Sequence, residues 1–277
     1  MQLLKDMEIG VMFWGGGDPV ATIREQKAFG VRCGQIGIPG DADLGNAAEW
    51  KKVCEAEKFT LVTVFAAYTG EDYSDFPTVQ RTVGFIPRAT RVEREARTLA
   101  ISDMAAELGV PGIALHVGMV PEDNRDEDYI AVRDMVRRVC DHAAKHGQTF
   151  ALETGQENAD TLLDFFIEVN RENLRINFDP ANMVLYGSGD PIAALDVLQQ
   201  HIVSVHCKDG DWPPKGVPGA LGTERPLGKG AVNMERFIAK LKEIHYKGPL
   251  CIEREVPDKA ERARDIQAGV GLLQELV

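Results

Sequence analysis

Short apolar runs and longer amphipathic runs alternate eight times along this chain, and few folds can absorb such a pattern. The apolar runs are Met7–Trp14, Cys33–Ile38, Thr60–Ala66, Gly112–Val117, Thr149–Glu153, Leu174–Asp179, Ile202–His206 and Pro249–Glu253. Each has strand length, and Thr60–Ala66 is rich in β-branched residues that suit a pleated surface. Helical patterns fill the intervals over Leu44–Lys58, Arg91–Leu108, Glu127–His146, Asn158–Val169, Asn233–His245 and Asp258–Leu276. Two more helices start at Asp18-Pro19 and Asp190-Pro191, where an aspartate N-cap precedes a proline already fixed at a helical φ. Ala67 to Pro87, containing Tyr68, Tyr73 and Phe76, shows no period and reads as a lid or binding loop. A second long loop, rich in glycine and proline, follows His206 and runs through Gly230.

Strands that are each followed by a helix must run parallel, and eight such units in about 250 residues predict an α/β fold of the (β/α)8 TIM-barrel type. No linker or composition break divides the 277 residues, so we expect a single domain over residues 1–277. The alternative, a doubly wound sheet with a dinucleotide site, lacks its fingerprint: Gly15-Gly16-Gly17-Asp18-Pro19 does not have G-x-G-x-x-G spacing. A formal net charge of −12 repels phosphate backbones and anionic lipid, so neither nucleic acid nor membrane is an expected partner. The N-terminus has no apolar signal region, and five scattered cysteines without C-x-x-C spacing suit a reducing compartment. A cytoplasmic enzyme is the expectation.

In a TIM barrel the functional side chains stand at the C-terminal ends of the strands. Four strand runs here end in or next to Glu153, Asp179, His206 and Glu253. A carboxylate at the mouth of an apolar strand costs several kcal/mol unless something positive receives it, and three together raise one another's pKa. Strand parity supports a shared site. If these four point inward, so do Ala151, Asn177, Ser204 and Cys251, all small or polar, while Leu152, Phe178, Val205 and Ile252 face the helices. An oxygen-rich set with one imidazole favours six-coordinate Mn²⁺, Mg²⁺ or Co²⁺ over tetrahedral zinc. Two coordination positions would remain for adjacent oxygens of a sugar.

The segments Leu152-Glu153-Thr154-Gly155-Gln156-Glu157, Asn177-Phe178-Asp179-Pro180-Ala181-Asn182-Met183, Val205-His206-Cys207-Lys208-Asp209 and Ile252-Glu253-Arg254-Glu255 occur in this order. They resemble the xylose-isomerase-like TIM barrels, in particular the sugar phosphate isomerase/epimerase group. That group includes ketose 3-epimerases and inosose dehydratase, with the zinc apurinic endonuclease as a distant relative. The resemblance implies one divalent ion, Mn²⁺ ahead of Mg²⁺ or Co²⁺, held by Glu153, Asp179, His206 and Glu253. It also implies that Glu153 and Glu253 are the acid/base pair of an isomerase or epimerase working through an enediolate. A lyase or dehydratase on a keto-sugar, inosose or keto-glycoside is the alternative; an endonuclease or a non-catalytic sugar-binding subunit has less support.

Arg225 matches the position of a substrate-binding arginine in the epimerases. Two departures stand out: Asn182 where relatives carry a histidine, and Gln35 where they carry a glutamate. Further candidates for contact with a sugar are His116, Lys208, Glu157, Trp14 and Phe65, with Asn182 beside them. Each also has a bland reading: a satisfied structural histidine, a solvated loop pair, a helix cap and aromatic core packing. A homo-oligomer, dimer or tetramer, is the expected assembly.

Overall fold

The apolar runs are buried on both faces, which requires one sheet covered by helices outside and side chains inside. The computed structural model describes residues 4–277; the first three positions of the expected domain lie outside the described residues. Strands β1 (Ile9–Trp14), β2 (Cys33–Ile38), β3 (Thr60–Ala66), β4 (Gly112–Leu115), β5 (Thr149–Glu153), β6 (Leu174–Phe178) and β7 (Ile202–Cys207) follow one another around a parallel barrel. A small antiparallel hairpin, β8 (Asp209–Asp211) with β9 (Thr223–Arg225), then leaves it, and β10 (Leu250–Ile252) closes the ring between β7 and β1. The helices are α1 (Pro19–Ala28), α2 (Ala47–Glu57), α3 (Phe76–Thr82), α4 (Arg91–Leu108), α5 (Glu127–Lys145), α6 (Ala159–Val169), α7 (Pro180–Tyr186), α8 (Pro191–Leu198), α9 (Met234–Glu243) and α10 (Lys259–Leu276), of which the short α3 and α7 lie at the mouth and the others cover the sheet. The TIM barrel expected from the sequence is the fold observed. Among the described residues no helix is long and apolar enough to cross a membrane.

Parity works as expected. Leu152, Phe178, Val205 and Ile252 join the large core between sheet and helices, whereas the barrel lumen holds a small apolar group of Met12, Phe65, Ala114 and Ala151. The light lumen leaves room at the C-terminal mouth. β4 is shorter than predicted and stops at Leu115, because the Val117 carbonyl turns away to accept the Phe85 N–H at 2.8 Å. His116 therefore lies beyond the strand and is free of its ladder.

Three local elements escaped the sequence pattern. The stretch read as a structureless loop contains α3, started by Asp75, whose side chain accepts the Thr78 N–H at 2.8 Å. Asp179-Pro180 starts α7 in the same way as Asp18-Pro19 and Asp190-Pro191 start their helices. The loop after β7 contains the β8–β9 hairpin.

The lid is fastened to α4 by arginines spaced three apart, hence on one helix face. Arg91 donates to the Phe85 and Ile86 carbonyls at 2.8 and 2.7 Å. Arg94, itself buried, donates to the Thr82, Gly84 and Thr69 carbonyls at 2.8, 2.5 and 3.4 Å, whereas Arg97 ties the same helix face to the Pro39 carbonyl after β2 at 2.6 Å. Gly84 sits at φ +64°, and a Cβ there would strike the Val117 carbonyl, so only glycine fits. Replacing Arg94 by methionine leaves three carbonyls without their donor. We expect a loss of about 2–3 kcal/mol in urea denaturation, with new proteolytic cleavage between residues 69 and 84. An unchanged urea midpoint would show that the guanidinium does not fasten the lid.

Candidate active site

Glu153 is the last residue of β5, Asp179 follows β6, His206 lies near the end of β7 and Glu253 follows β10. Inward parity brings one donor atom from each to within 4.8 Å of the others. The His206 Nδ1 lies 2.7 Å from Glu153 Oε1, 3.3 Å from Glu253 Oε2 and 3.8 Å from Asp179 Oδ2. The imidazole is oriented from below. Gln35 Oε1 lies 2.6 Å from His206 Nε2; the Gln35 amide donates to Asn177 Oδ1 at 2.9 Å, and Ser204 Oγ donates to that same oxygen at 2.5 Å. Gln35 takes the ring proton on Nε2 and so leaves Nδ1 facing the carboxylates, where it carries a second proton unless a cation takes that proton's place. Asp179 is fixed as firmly, with Oδ1 accepting the Asn182 N–H at 2.9 Å and its backbone N–H donating to Thr154 Oγ1 at 2.8 Å. Glu153 Oε1, Asp179 Oδ2 and His206 Nδ1 are buried without a hydrogen-bond partner. Buried polar atoms rarely go unpaired, and three converging on one point form a set that could hold a cation.

The charges tell the same story. Burial pushes the Glu153 carboxyl up to about 7, although His206 beside it pulls the other way. Burial also opposes ionisation of Glu253, yet Lys208 and His206 outweigh it and hold that carboxyl well below its usual range. Burial alone would lower the His206 pKa, but Glu253 and Glu153 lift it well above the ordinary imidazole value. The cluster is short of positive charge at its centre.

Above the cluster opens a cavity of about 310 Å³. Trp14, Phe65, His116, Asn182 and Lys208, all expected from the sequence, line it together with Glu153 and Glu253. Phe65 is a buttress as well as a wall, since its ring lies 5.2 Å from the His206 ring, while Trp14 is half exposed at the rim. The Lys208 ammonium is buried between Glu253 Oε2 at 3.0 Å and Glu255 Oε2 at 2.6 Å. Burial disfavours its charge, but the two glutamates more than offset that and keep its pKa well above the usual value. His116 contacts Gln156 and meets the Tyr73 ring edge-on at 5.7 Å. Burial, helped by the Lys208 charge, drops its pKa to about 3, so the imidazole is neutral in ordinary buffers.

Two expected residues are not at this cavity. Arg225 lies on β9 with its Nε 2.6 Å from Asp211 Oδ2, and strand alternation gives the cavity its neighbour Glu224 instead. Glu157 accepts the Val120 N–H at 3.0 Å and faces an adjoining groove, where burial raises its carboxyl to about 7; it positions the loop after β4. Gln35 proves to be the partner that orients His206. Asp209 serves neither His206 nor the cavity: its carboxylate accepts the N–H groups of Gly210, Gly228, Gly230 and Val232 at 2.9 to 3.1 Å. Sequence reasoning missed Glu71, Tyr186, Glu224 and Glu255 as cavity residues. Of these only Glu255 carried a readable signal, two residues beyond Glu253. A separate trio on the helical surface, Asp103 with His142 and His146 at 2.7 and 2.8 Å, lies apart from the strand ends.

A family model described as xylose isomerase-like TIM barrel matches residues 23–276. No match to a curated protein is found. Among solved structures, the chain is similar to a xylose isomerase domain protein from Planctomyces limnophilus, with 39% identity over 98% of this chain and 97% of that one and a TM-score of 0.91. It shares its fold with 3-keto-D-glucoside 4-epimerase YcjR from E. coli, at 18% identity over 96% and 99% of the two chains and a TM-score of 0.70. It also shares it with the probable 3-DHS dehydratase AsbF from Bacillus anthracis, at 15% identity over 96% and 99% and a TM-score of 0.69. With nearly the whole length matched and the four strand-end polar groups assembled at one point, the chain belongs to the xylose isomerase-like TIM-barrel family.

Proposed function

We propose that this chain is a divalent-metal-dependent isomerase or epimerase that removes and returns a proton next to the carbonyl of a sugar. The observation that carries the reading is the convergence of three unpartnered buried atoms, on Glu153, Asp179 and His206, with Glu253 completing the set. Three oxygens and one imidazole nitrogen fit Mn²⁺, ahead of Mg²⁺ or Co²⁺. When bound, such an ion polarises a carbonyl and its neighbouring hydroxyl and offsets the negative charge of an enediolate. The chain does the rest.

Glu153 and Glu253 come from β5 and the end of β10, so the substrate carbon would lie between two carboxyl groups rather than beside one. A carboxylate that spends one oxygen on a cation keeps the other for proton work. One glutamate removes the proton, and the other delivers it to the opposite face. Lys208 holds Glu253 ionised and in place through its 3.0 Å contact. Neutral His116 offers a ring N–H or lone pair to a substrate hydroxyl, and Asn182 offers its amide. Elimination from the same enediolate would make the protein a lyase, as the dehydratase among the fold neighbours suggests, and product analysis distinguishes the two. The acidic cavity and Asn182, standing where a histidine ligand would be, speak against an endonuclease.

Glu153→Gln and Glu253→Gln should each lower deuterium wash-in from D₂O into a ketose or keto-glycoside by at least about 10²-fold. Near-normal exchange in either would sink the two-base mechanism. Gln35→Leu removes the acceptor that orients His206, so Mn²⁺ affinity should fall about 10–100-fold in titration calorimetry; unchanged affinity would deny Gln35 that role. For His116 the folded pKa lies below the unfolded value near 6.5, so its contribution to stability is full above pH 6.5 and is lost as pH falls toward about 3. Between pH 7 and 4.5 the parent's melting temperature should therefore drop more than that of His116→Gln. Parallel pH profiles would mean that His116 is protonated in the folded protein.

A further inference from the structure

We infer that the substrate is an uncharged sugar, one that enters the cavity without a phosphate or carboxylate group. The inference rests on the proton-abstraction reading and extends it to substrate class. Its first support is the charge of the walls. Glu71, Glu153, Glu224, Glu253 and Glu255 line the cavity, and among the described residues Lys208 is the one lysine or arginine that does. That ammonium already donates to two carboxylates, so it is not a free receptor for an anion. The two positive charges of a divalent ion leave the cavity net negative.

The second support is where the usual anion receptors have gone. TIM-barrel enzymes that bind phosphate commonly do so with backbone N–H groups of the loops after strands seven and eight. Here a set of amides of that kind exists after β7, at Gly210, Gly228, Gly230 and Val232, and the protein's own Asp209 carboxylate fills it. An incoming phosphate would have to displace a buried, four-fold hydrogen-bonded carboxylate. Two arginines beside the cavity are also committed: Arg225 to Asp211, and Arg254 to Glu224 at 2.9 Å and Asp265 at 2.8 Å, while Lys259 and Arg262 line the neighbouring groove rather than this cavity. The first turn of α7 is capped by Asp179. What the cavity does offer suits hydroxyl groups: carboxylate acceptors, the Asn182 amide, neutral His116, and the aromatic surfaces of Trp14 and Tyr73.

The test uses the full-length protein loaded with Mn²⁺ and pairs of ligands that differ only by a phosphate monoester: a ketose against its terminal phosphate, and a keto-glycoside against its phosphate. Deuterium wash-in is expected for the neutral member, with kcat/KM for the phosphate lower by at least about 10²-fold. In parallel, thermal shift should show stabilisation by the neutral sugar and none by the ester or inorganic phosphate. Equal or faster exchange with the ester overturns the substrate class while leaving proton abstraction standing. Stabilisation by neutral sugars without any exchange supports the substrate class and removes the proton-abstraction reading instead. Glu255→Gln frees one side of Lys208 and should raise the ester-to-neutral ratio of affinities about tenfold; a ratio that does not move would show that wall charge is not what excludes the anion.

Discussion

Everything at the mouth of this barrel depends on the placement of one imidazole. His206 is buried against three carboxylates, and its other nitrogen is held by Gln35, whose amide donates to Asn177 Oδ1, the oxygen that also accepts from Ser204. Those residues belong to β2, β6 and β7, so a single hydrogen-bonded chain crosses the lumen and ties distant strands together. Its lower part is neutral, and its upper end is a set of acidic groups that cannot all be satisfied by the protein. Such a cluster, left to itself, is a cost to folding. The protein bears that cost at the one place where a cation and a sugar's oxygens could repay it.

The loops around the mouth are fixed by charges placed on backbone as well as by apolar side chains such as Phe85 and Val232 packed into the core. On one side arginines of α4 hold lid carbonyls; on the other the Asp209 carboxylate holds amides of the loop after β7. The two devices are mirror images in polarity, a cation on carbonyls and an anion on amides. Each leaves the cavity walls free for other chemistry. Because charge-assisted hydrogen bonds are directional, both loops present their side chains at fixed heights above the carboxylate cluster.

The barrel and the four-residue centre were legible because both follow from periodicity. Eight strand-then-helix units determine the topology, and once Glu153, Asp179, His206 and Glu253 share inward parity they must meet. Residues on irregular backbone were not legible in that way. Arg225 was expected at the substrate by its place in the chain, but the unforeseen β8–β9 hairpin turns it to Asp211 and turns Glu224 inward. Glu157 follows a strand end by only a few residues, yet the turn before α6 points it at the Val120 amide. Helices α3 and α7 are seven residues each, too short to show a 3.6-residue period. Their aspartate caps were visible all the same. Gln35 appeared in the sequence as a missing ligand; only the lumen geometry shows it as the partner that orients one.

The light lumen explains how such an acidic site is compatible with a stable chain. TIM barrels ordinarily fill their interior with layers of bulky branched residues, and here Ala114 and Ala151 stand in the layer beneath the site. Burial given up inside is recovered between sheet and helices, where Phe150, Phe178, Phe237 and Trp50 are fully enclosed. The division of labour is spatial: apolar packing outside the sheet carries the fold, and polar hydrogen bonding inside it carries the site. A substitution that enlarged Ala151 would press on the carboxylates from below without touching the outer core, so the two layers can vary almost independently. On the function proposed for this chain, substrate preference would rest on wall charge and loop contacts above the cluster rather than on the cluster itself.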